Sequence, residues 1–303
     1  MNENVIDIRD LTVFYGTQRG ILNLNLSVKR SEVFGFLGPN GAGKTTTQRV
    51  LLDVIHPTRG QALIFGLDSQ KEGTAIRSRV GYLPGEFRPY LNMRGGQFLD
   101  LLASLQRSSV VDSYRRELCE RLELNLSRKL KHYSHGNKQK IGIVAAFMGR
   151  PELLILDEPT IGLDPLAQQT VLELVRDARN KGRTVFFSSH NLTEVQAVCD
   201  RVGIIREGEL VKTEHVETLI DQRFKRLQLT LRQSPPPDAF NGEGTTETGR
   251  DGNQVILETR QDLDVVLEKA LSYGIEDIET LPVTLEDIFL AYYDRDNSGG
   301  SHA

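Results

Sequence analysis

The alternation of apolar and polar positions changes character once along the chain. Val33-Phe34-Gly35-Phe36-Leu37 is a continuous apolar run, too short for a helix and closed by Gly38, which predicts a strand buried on both faces. Leu153–Leu156 and Thr184–Phe187 predict two more strands of the same kind. Helical segments lie between them. Thr46–Ile55 reads as a helix stopped before Pro57, and Lys138–Met148 as one that shows Ile141, Val144, Ala145 and Met148 on a single face. Buried strands alternating with helices predict a layered α/β core. Beyond residue 220 the period shortens. The alternating run Phe224–Leu231 and the apolar run Val255–Leu257 predict a hairpin, with residues 234–253 (SPPPDAFNGEGTTETGRDGN) as a long surface loop at its tip. A helix over Leu263–Leu271, a strand over Ile275–Leu281 and a last helix from Leu285 follow, with Thr284 and Asp287 as a capping box. The expected division is a core domain over residues 1–220 and a small α+β domain over 221–303.

Charge sharpens this seam. The 303 residues carry 37 Lys and Arg against 41 Asp and Glu, a net of −4. Residues 221–303 hold 8 basic and 16 acidic side chains, a net of −8, which leaves a net of +4 for residues 1–220. An acidic second region argues against a nucleic-acid partner, which would call for a basic stripe. A 39% hydrophobic content excludes general disorder. Cys119 and Cys199 cannot build a disulfide framework and suit a reducing compartment. The longest apolar stretches, such as Ile141–Phe147, fall well short of the roughly 18 residues of a spanning helix. The start, MNENVIDIRD, lacks the basic-then-apolar order of a secretory signal. Any work at a membrane is therefore expected to run through a partner.

The chemistry begins at Gly38-Pro39-Asn40-Gly41-Ala42-Gly43-Lys44-Thr45, which satisfies GxxxxGK[ST] between a predicted strand and a predicted helix. Glycines let the backbone approach a phosphate, and successive N–H groups at the helix start face the anion. Lys44 can reach the terminal phosphates, and the Thr45 hydroxyl can ligate Mg²⁺. The glycine spacing does not match GxGxxG, so a dinucleotide site is a poor rival. The run Leu153–Leu156 delivers Asp157 and Glu158 to the C-terminal edge of a sheet, where open α/β sheets bind ligands. Asp157 is placed to hold Mg²⁺ and Glu158 to act on the attacking water as general base.

Together with the phosphate loop, Pro151–Pro165 (PELLILDEPTIGLDP) resembles the nucleotide-binding subunit of ATP-binding cassette (ABC) transporters, over about residues 5–220. The resemblance implies a P-loop NTPase core with an inserted helical subdomain at about residues 86–150, and ATP with Mg²⁺ as ligands. It implies that ATP is held by Gly38, Pro39, Asn40, Gly41, Ala42, Gly43, Lys44, Thr45 and Thr46, with Tyr15 stacked on adenine. It implies Lys44, Glu158 and His190 as catalytic residues, His190 contacting the γ-phosphate from the end of a third strand. Asp164 would communicate across a dimer and also cap the helix that starts at Pro165. The family signature LSGGQ stands here as Tyr133-Ser134-His135-Gly136-Asn137, so Ser134 and Gly136 would meet a phosphate. At Gly85 the family has a glutamine that serves Mg²⁺ and water. Glu86, next to it, is the candidate replacement and third metal ligand.

One phosphate loop and one signature per chain imply a homodimer with two sandwiched ATP molecules, paired with a separate transmembrane permease at the cytoplasmic face of the cell membrane. FRPYLNMRGGQFLDLL, after Glu86, would dock on that permease. The C-terminal LPVTLEDIFLAYY resembles the tails of bacterial drug- and antibiotic-exporter ATPase subunits, which favours export. Two alternatives stay open at this point: a soluble ABC protein resembling a translation factor, and a regulatory module that binds ATP with little turnover.

Overall fold

A computed structural model describes residues 3–105, 112–221, 225–242, 244–259 and 263–281. The chain divides into two compact units, residues 1–216 and 217–303.

In the first unit the chain runs through β1 (Asn4–Tyr15), β2 (Gln18–Lys29), β3 (Val33–Leu37), α1 (Lys44–Leu51), β4 (Arg59–Ile64), β5 (Leu67–Asp68), α2 (Gly73–Arg77) and β6 (Val80–Leu83). It continues through α3 (Gly95–Leu105), α4 (Asp112–Arg121), α5 (His135–Phe147), β7 (Leu153–Asp157) and α6 (Pro165–Asn180). It closes with β8 (Thr184–Ser189), α7 (Leu192–Val198), β9 (Arg201–Arg206) and β10 (Glu209–His215). One sheet has the order β10-β9-β3-β8-β7-β6, parallel except for the antiparallel edge strand β10. The other is antiparallel, in the order β2-β1-β4-β5.

The three continuous apolar runs are the central strands β3, β7 and β8, and every residue in them is buried. A parallel sheet covered on both faces requires this, because neither side of the strand meets water. Phe34, Phe36 and Phe186 share one core with Ile6 and Ile8 of β1, Leu24 of β2 and Val50 and Leu51 of α1, so this core bonds the two sheets together. Pairing of Leu37 with Ser189 and of Asp157 with Ser188 brings the ends of β3, β7 and β8 to one edge.

Two helix boundaries differ from those expected. α1 covers Lys44–Leu51 rather than Thr46–Ile55. It starts directly after Gly43, and just past its end Asp53 turns left-handed (φ 58°). α5 begins at His135, three residues early, because the Ser134 hydroxyl accepts from the Asn137 N–H at 3.2 Å and caps the helix there. In the inserted helical region Phe98 and Leu99 of α3 and Tyr114 and Leu118 of α4 are buried, and both helices pack on α5. No helix among the described residues is long and apolar enough to cross a membrane.

The second unit holds β11 (Lys225–Leu231), β12 (Thr245–Asp251), β13 (Gln254–Thr259), α9 (Leu263–Leu271) and β14 (Ile275–Leu281), after α8 (Val216–Asp221) at the seam. Its sheet is antiparallel, in the order β12-β13-β11-β14. β11 and β13 do pair, but the predicted loop between them contains a strand, β12, which makes the direct hairpin with β13. TTETGRD has no apolar alternation to announce a strand. It is held by its backbone ladder with β13 and by Thr245 and Thr259 hydroxyls 2.8 Å apart. Leu227, Leu229, Leu231, Val255 and Leu257 pack with Val266 and Ala270 of α9 into a separate core. The last helix expected from Leu285, with Thr284 and Asp287, lies outside the described residues.

Candidate nucleotide site

The phosphate loop leaves β3 at the ligand edge of the parallel sheet and enters α1. Pro39, Asn40, Gly41, Gly43, Lys44, Thr45, Thr46 and Glu158 line a cavity of about 150 Å³. Gly43 holds the loop closed: its φ is +109°, and a Cβ there would stand 2.9 Å from the Gly20 carbonyl oxygen. Gly38 and Ala42 complete the loop, with Ala42 buried. Lys44 is buried and donates from Nζ to the carbonyls of Gly38 (2.6 Å) and Pro39 (3.1 Å). The same ammonium lies 3.1 Å from Glu158 Oε1. Tyr15 is 45% exposed, and its hydroxyl stands 3.4 Å from the Thr46 hydroxyl, so an aromatic face lies open beside the start of α1.

Asp157 ends β7 almost wholly buried. Thr45 Oγ1 donates to its Oδ2 at 2.7 Å, and Ser188 Oγ donates to its Oδ1 at 2.6 Å. A threonine hydroxyl and a carboxylate are hard oxygen donors. Among the described residues no three His, Cys, Asp or Glu side chains gather as a metal-binding group. A cation here would therefore rest on few protein oxygens and on substrate phosphates, which is the habit of Mg²⁺ rather than of Ca²⁺ or Zn²⁺. Burial first and the Asp157 charge second push the Tyr82 phenol, on neighbouring β6, up to about 12.

Glu158 takes a left-handed backbone, with φ 49°. Its N–H donates to the carbonyl and to the hydroxyl of Ser188, both at 3.2 Å. From α5, Gln139 Nε2 donates to the carbonyls of Glu158 and Pro159, both at 3.3 Å. The carboxylate is thus fixed at both oxygens, Oε1 toward Lys44 and Oε2 2.7 Å from His190 Nδ1. His190, just past β8, remains 48% exposed.

The signature-like segment stands at the start of α5. Ser134 and His135 are exposed and Gly136 half-buried. Tyr133, in place of the leucine, is buried and donates to the Asn125 carbonyl at 2.5 Å, over the bare backbone of Gly95. The His135 ring lies against Gly162, where a Cβ would approach His135 Cδ2 to 2.4 Å. Asp164 caps α6 by accepting from the Ala167 N–H at 2.9 Å, with Lys140 Nζ 3.8 Å away. The backbone hydrogen bond from Ala167, followed by the charge of Lys140, holds the Asp164 carboxyl below its usual range. Neither Ser134 nor Gly136 lines the phosphate-loop cavity.

Residues 21–161 match the family model described as ABC transporter. The bacitracin transport ATP-binding protein BcrA of Bacillus licheniformis is 38% identical over 233 residues, 75% of each chain. This chain belongs to the ABC transporter ATP-binding family. The linearmycin resistance ATP-binding protein LnrL of Bacillus subtilis is 34% identical over 201 residues, 65% of each chain. A solved ATP-binding subunit of an ABC transporter superposes with a TM-score of 0.66 at 29% identity, over 72% of this chain and 92% of that one. The chain is accordingly an ABC ATPase with the α/β cassette fold.

For an ABC ATPase the most informative departure lies beside Asp157. Glu86 does not line the phosphate-loop cavity. It is exposed and paired with Arg88, whose Nε donates to Glu86 Oε1 at 3.0 Å. Both side chains of this pair face solvent. Gly85 does reach the site: a Cβ there would stand 2.8 Å from Asp157 Oδ2. Three contributors went unassigned from sequence. Ser188 touches Asp157 and Glu158 together, Gln139 holds the backbone of Glu158, and Gln48 Nε2 stands 3.5 Å from Asp157 Oδ1. The one available signal was polarity in apolar settings, namely two serines ending TVFFSS and glutamines inside helices.

Proposed function

We propose that this ABC ATPase hydrolyses ATP with Mg²⁺ in a head-to-tail homodimer at the cytoplasmic face of the cell membrane and drives a separate permease that exports an antibiotic-like compound. The observation that carries the catalytic part is the clamped carboxylate of Glu158, held between Lys44 and His190 at the wall of the phosphate-loop cavity. Glu158 is the general base that takes the proton of the attacking water. With Nδ1 on Glu158, His190 has Nε2 left, which donates to the γ-phosphate when both ring nitrogens carry protons. Lys44 and the N–H groups opening α1 face the developing negative charge, so most of the catalysis is positioning and charge stabilisation. Thr45 and Asp157 would hold Mg²⁺, which when bound neutralises charge on the phosphate oxygens. Tyr15 stacks on adenine.

The dimer follows from incompleteness. Ser134, Gly136 and the free N–H groups of the first turn of α5 form an anion-receptive end, yet they stand apart from this chain's own cavity. A second copy, turned head to tail, supplies each cavity with the other's Ser134, and Asp164 carries the contact between the two sites. Export is supported by the likeness to proteins named for bacitracin transport and linearmycin resistance.

Glu158→Gln tests the base. ATP binding should persist, turnover should fall by about 10²–10⁴-fold, and ATP-bound dimer should accumulate on a sizing column. Normal hydrolysis would sink the assignment. Affinity purification from native membranes should recover a permease, and recovery of ribosomes instead would overturn the transport reading.

A further inference from the structure

Gln48 lies on α1 one turn beyond Lys44 and is fully buried. Its Nε2 points to Asp157 Oδ1 at 3.5 Å, while its Oε1 is enclosed with no hydrogen-bond partner in the protein. An enclosed acceptor without a donor is costly. A methionine or leucine would fill the same buried place on α1 without that cost, so packing does not explain the amide.

Asp157 does explain it. Its Oδ2 is taken by Thr45 and its Oδ1 by Ser188. On the side of Gly85 the backbone approaches so closely that no side chain intervenes, and Glu86 lies exposed beside Arg88. Among the described residues, Gln48 brings the only side-chain amide within hydrogen-bonding distance of Asp157.

We propose that Gln48 is a positioning residue that holds the Asp157 carboxylate from α1. From its buried place on α1, Nε2 orients the Asp157 carboxylate and so sets the pose in which Asp157 meets the Mg²⁺ shell. The inference rests on the reading of Thr45 and Asp157 as the magnesium residues.

The test is a fluorescence titration of a labelled ATP analogue, with and without Mg²⁺, on wild type, Gln48→Met and Gln48→Leu, alongside thermal melts. Both variants should melt at or above the wild-type temperature and bind the analogue normally without Mg²⁺. The Mg²⁺ concentration at half-maximal gain in affinity should rise about 10-fold, the lower end of what loss of an outer-shell partner costs a metal site. An unchanged Mg²⁺ midpoint in both variants would overturn the proposal. So would loss of Mg²⁺-free binding in Gln48→Met, which would mark a packing role. A wild type that gains nothing from Mg²⁺ would overturn the magnesium reading itself, and this inference with it.

Discussion

The ligand edge of the parallel sheet and the start of α5 present two kinds of polar surface. At the sheet edge Asp157, Lys44 and Ser188 are buried, and each has its partners within the chain. At α5, Ser134 and His135 face solvent, and Ser134 satisfies only its own helix cap. Buried polar groups are costly unless paired, so most of the first surface is satisfied within one chain, and Gln48 Oε1 is an exception. Exposed N–H groups at a helix start lose nothing to water, so the second can wait for a ligand. One half is preorganised, and the other is the half that the proposed homodimer would offer to a second copy.

Complementation breaks this contrast most sharply. Lys44→Ala and Ser134→Arg should each lose at least about 10²-fold in turnover, the scale of one lost charge-stabilising contact. A mixture of the two should recover turnover that neither has alone, because a mixed pair holds one intact site. Full turnover in Ser134→Arg alone would mean that each chain works by itself.

The link between the two surfaces is Gln139, which rises from α5 to the carbonyls of Glu158 and Pro159. Gln139→Ala should cost about 1 kcal/mol of stability. It should also lower kcat about 10-fold by loosening Glu158, with the KM for ATP little changed. A kcat equal to wild type would show that Ser188, Lys44 and His190 hold the base without it.

The smallest effect belongs to Asp164, whose carboxylate is well exposed. Asp164→Ala should lower the melting temperature slightly at neutral pH. The folded-state pKa is depressed, so the stabilisation is present above the ordinary aspartate range and is lost as pH falls through the folded value. Melting curves of variant and wild type should therefore converge in acid. A gap that persists in acid would remove charge from the account of the cap.

Much of the fold was legible because two-face burial leaves a plain mark. VFGFL, LLIL and TVFF became β3, β7 and β8, and the acids after LLIL arrived at the ligand edge. β12 was hidden because TTETGRD pairs through its backbone and two threonine hydroxyls rather than through an apolar face. Helix starts were legible only where the cap was read as a cap. Ser134 was singled out for phosphate, and its bond to the Asn137 N–H moved the start of α5 to His135.

Local chemistry written in consecutive residues, the phosphate loop and the acids after a buried strand, was determined by the sequence itself, since its physics needs only neighbours in order. Which side chain serves Asp157 was decided by tertiary structure. Glu86 is one residue from Gly85 yet turns to Arg88, whereas Gln48, far away in sequence, arrives on the helix that Lys44 opens. A carboxylate's partners are chosen by distance and burial, and both are properties of the folded chain.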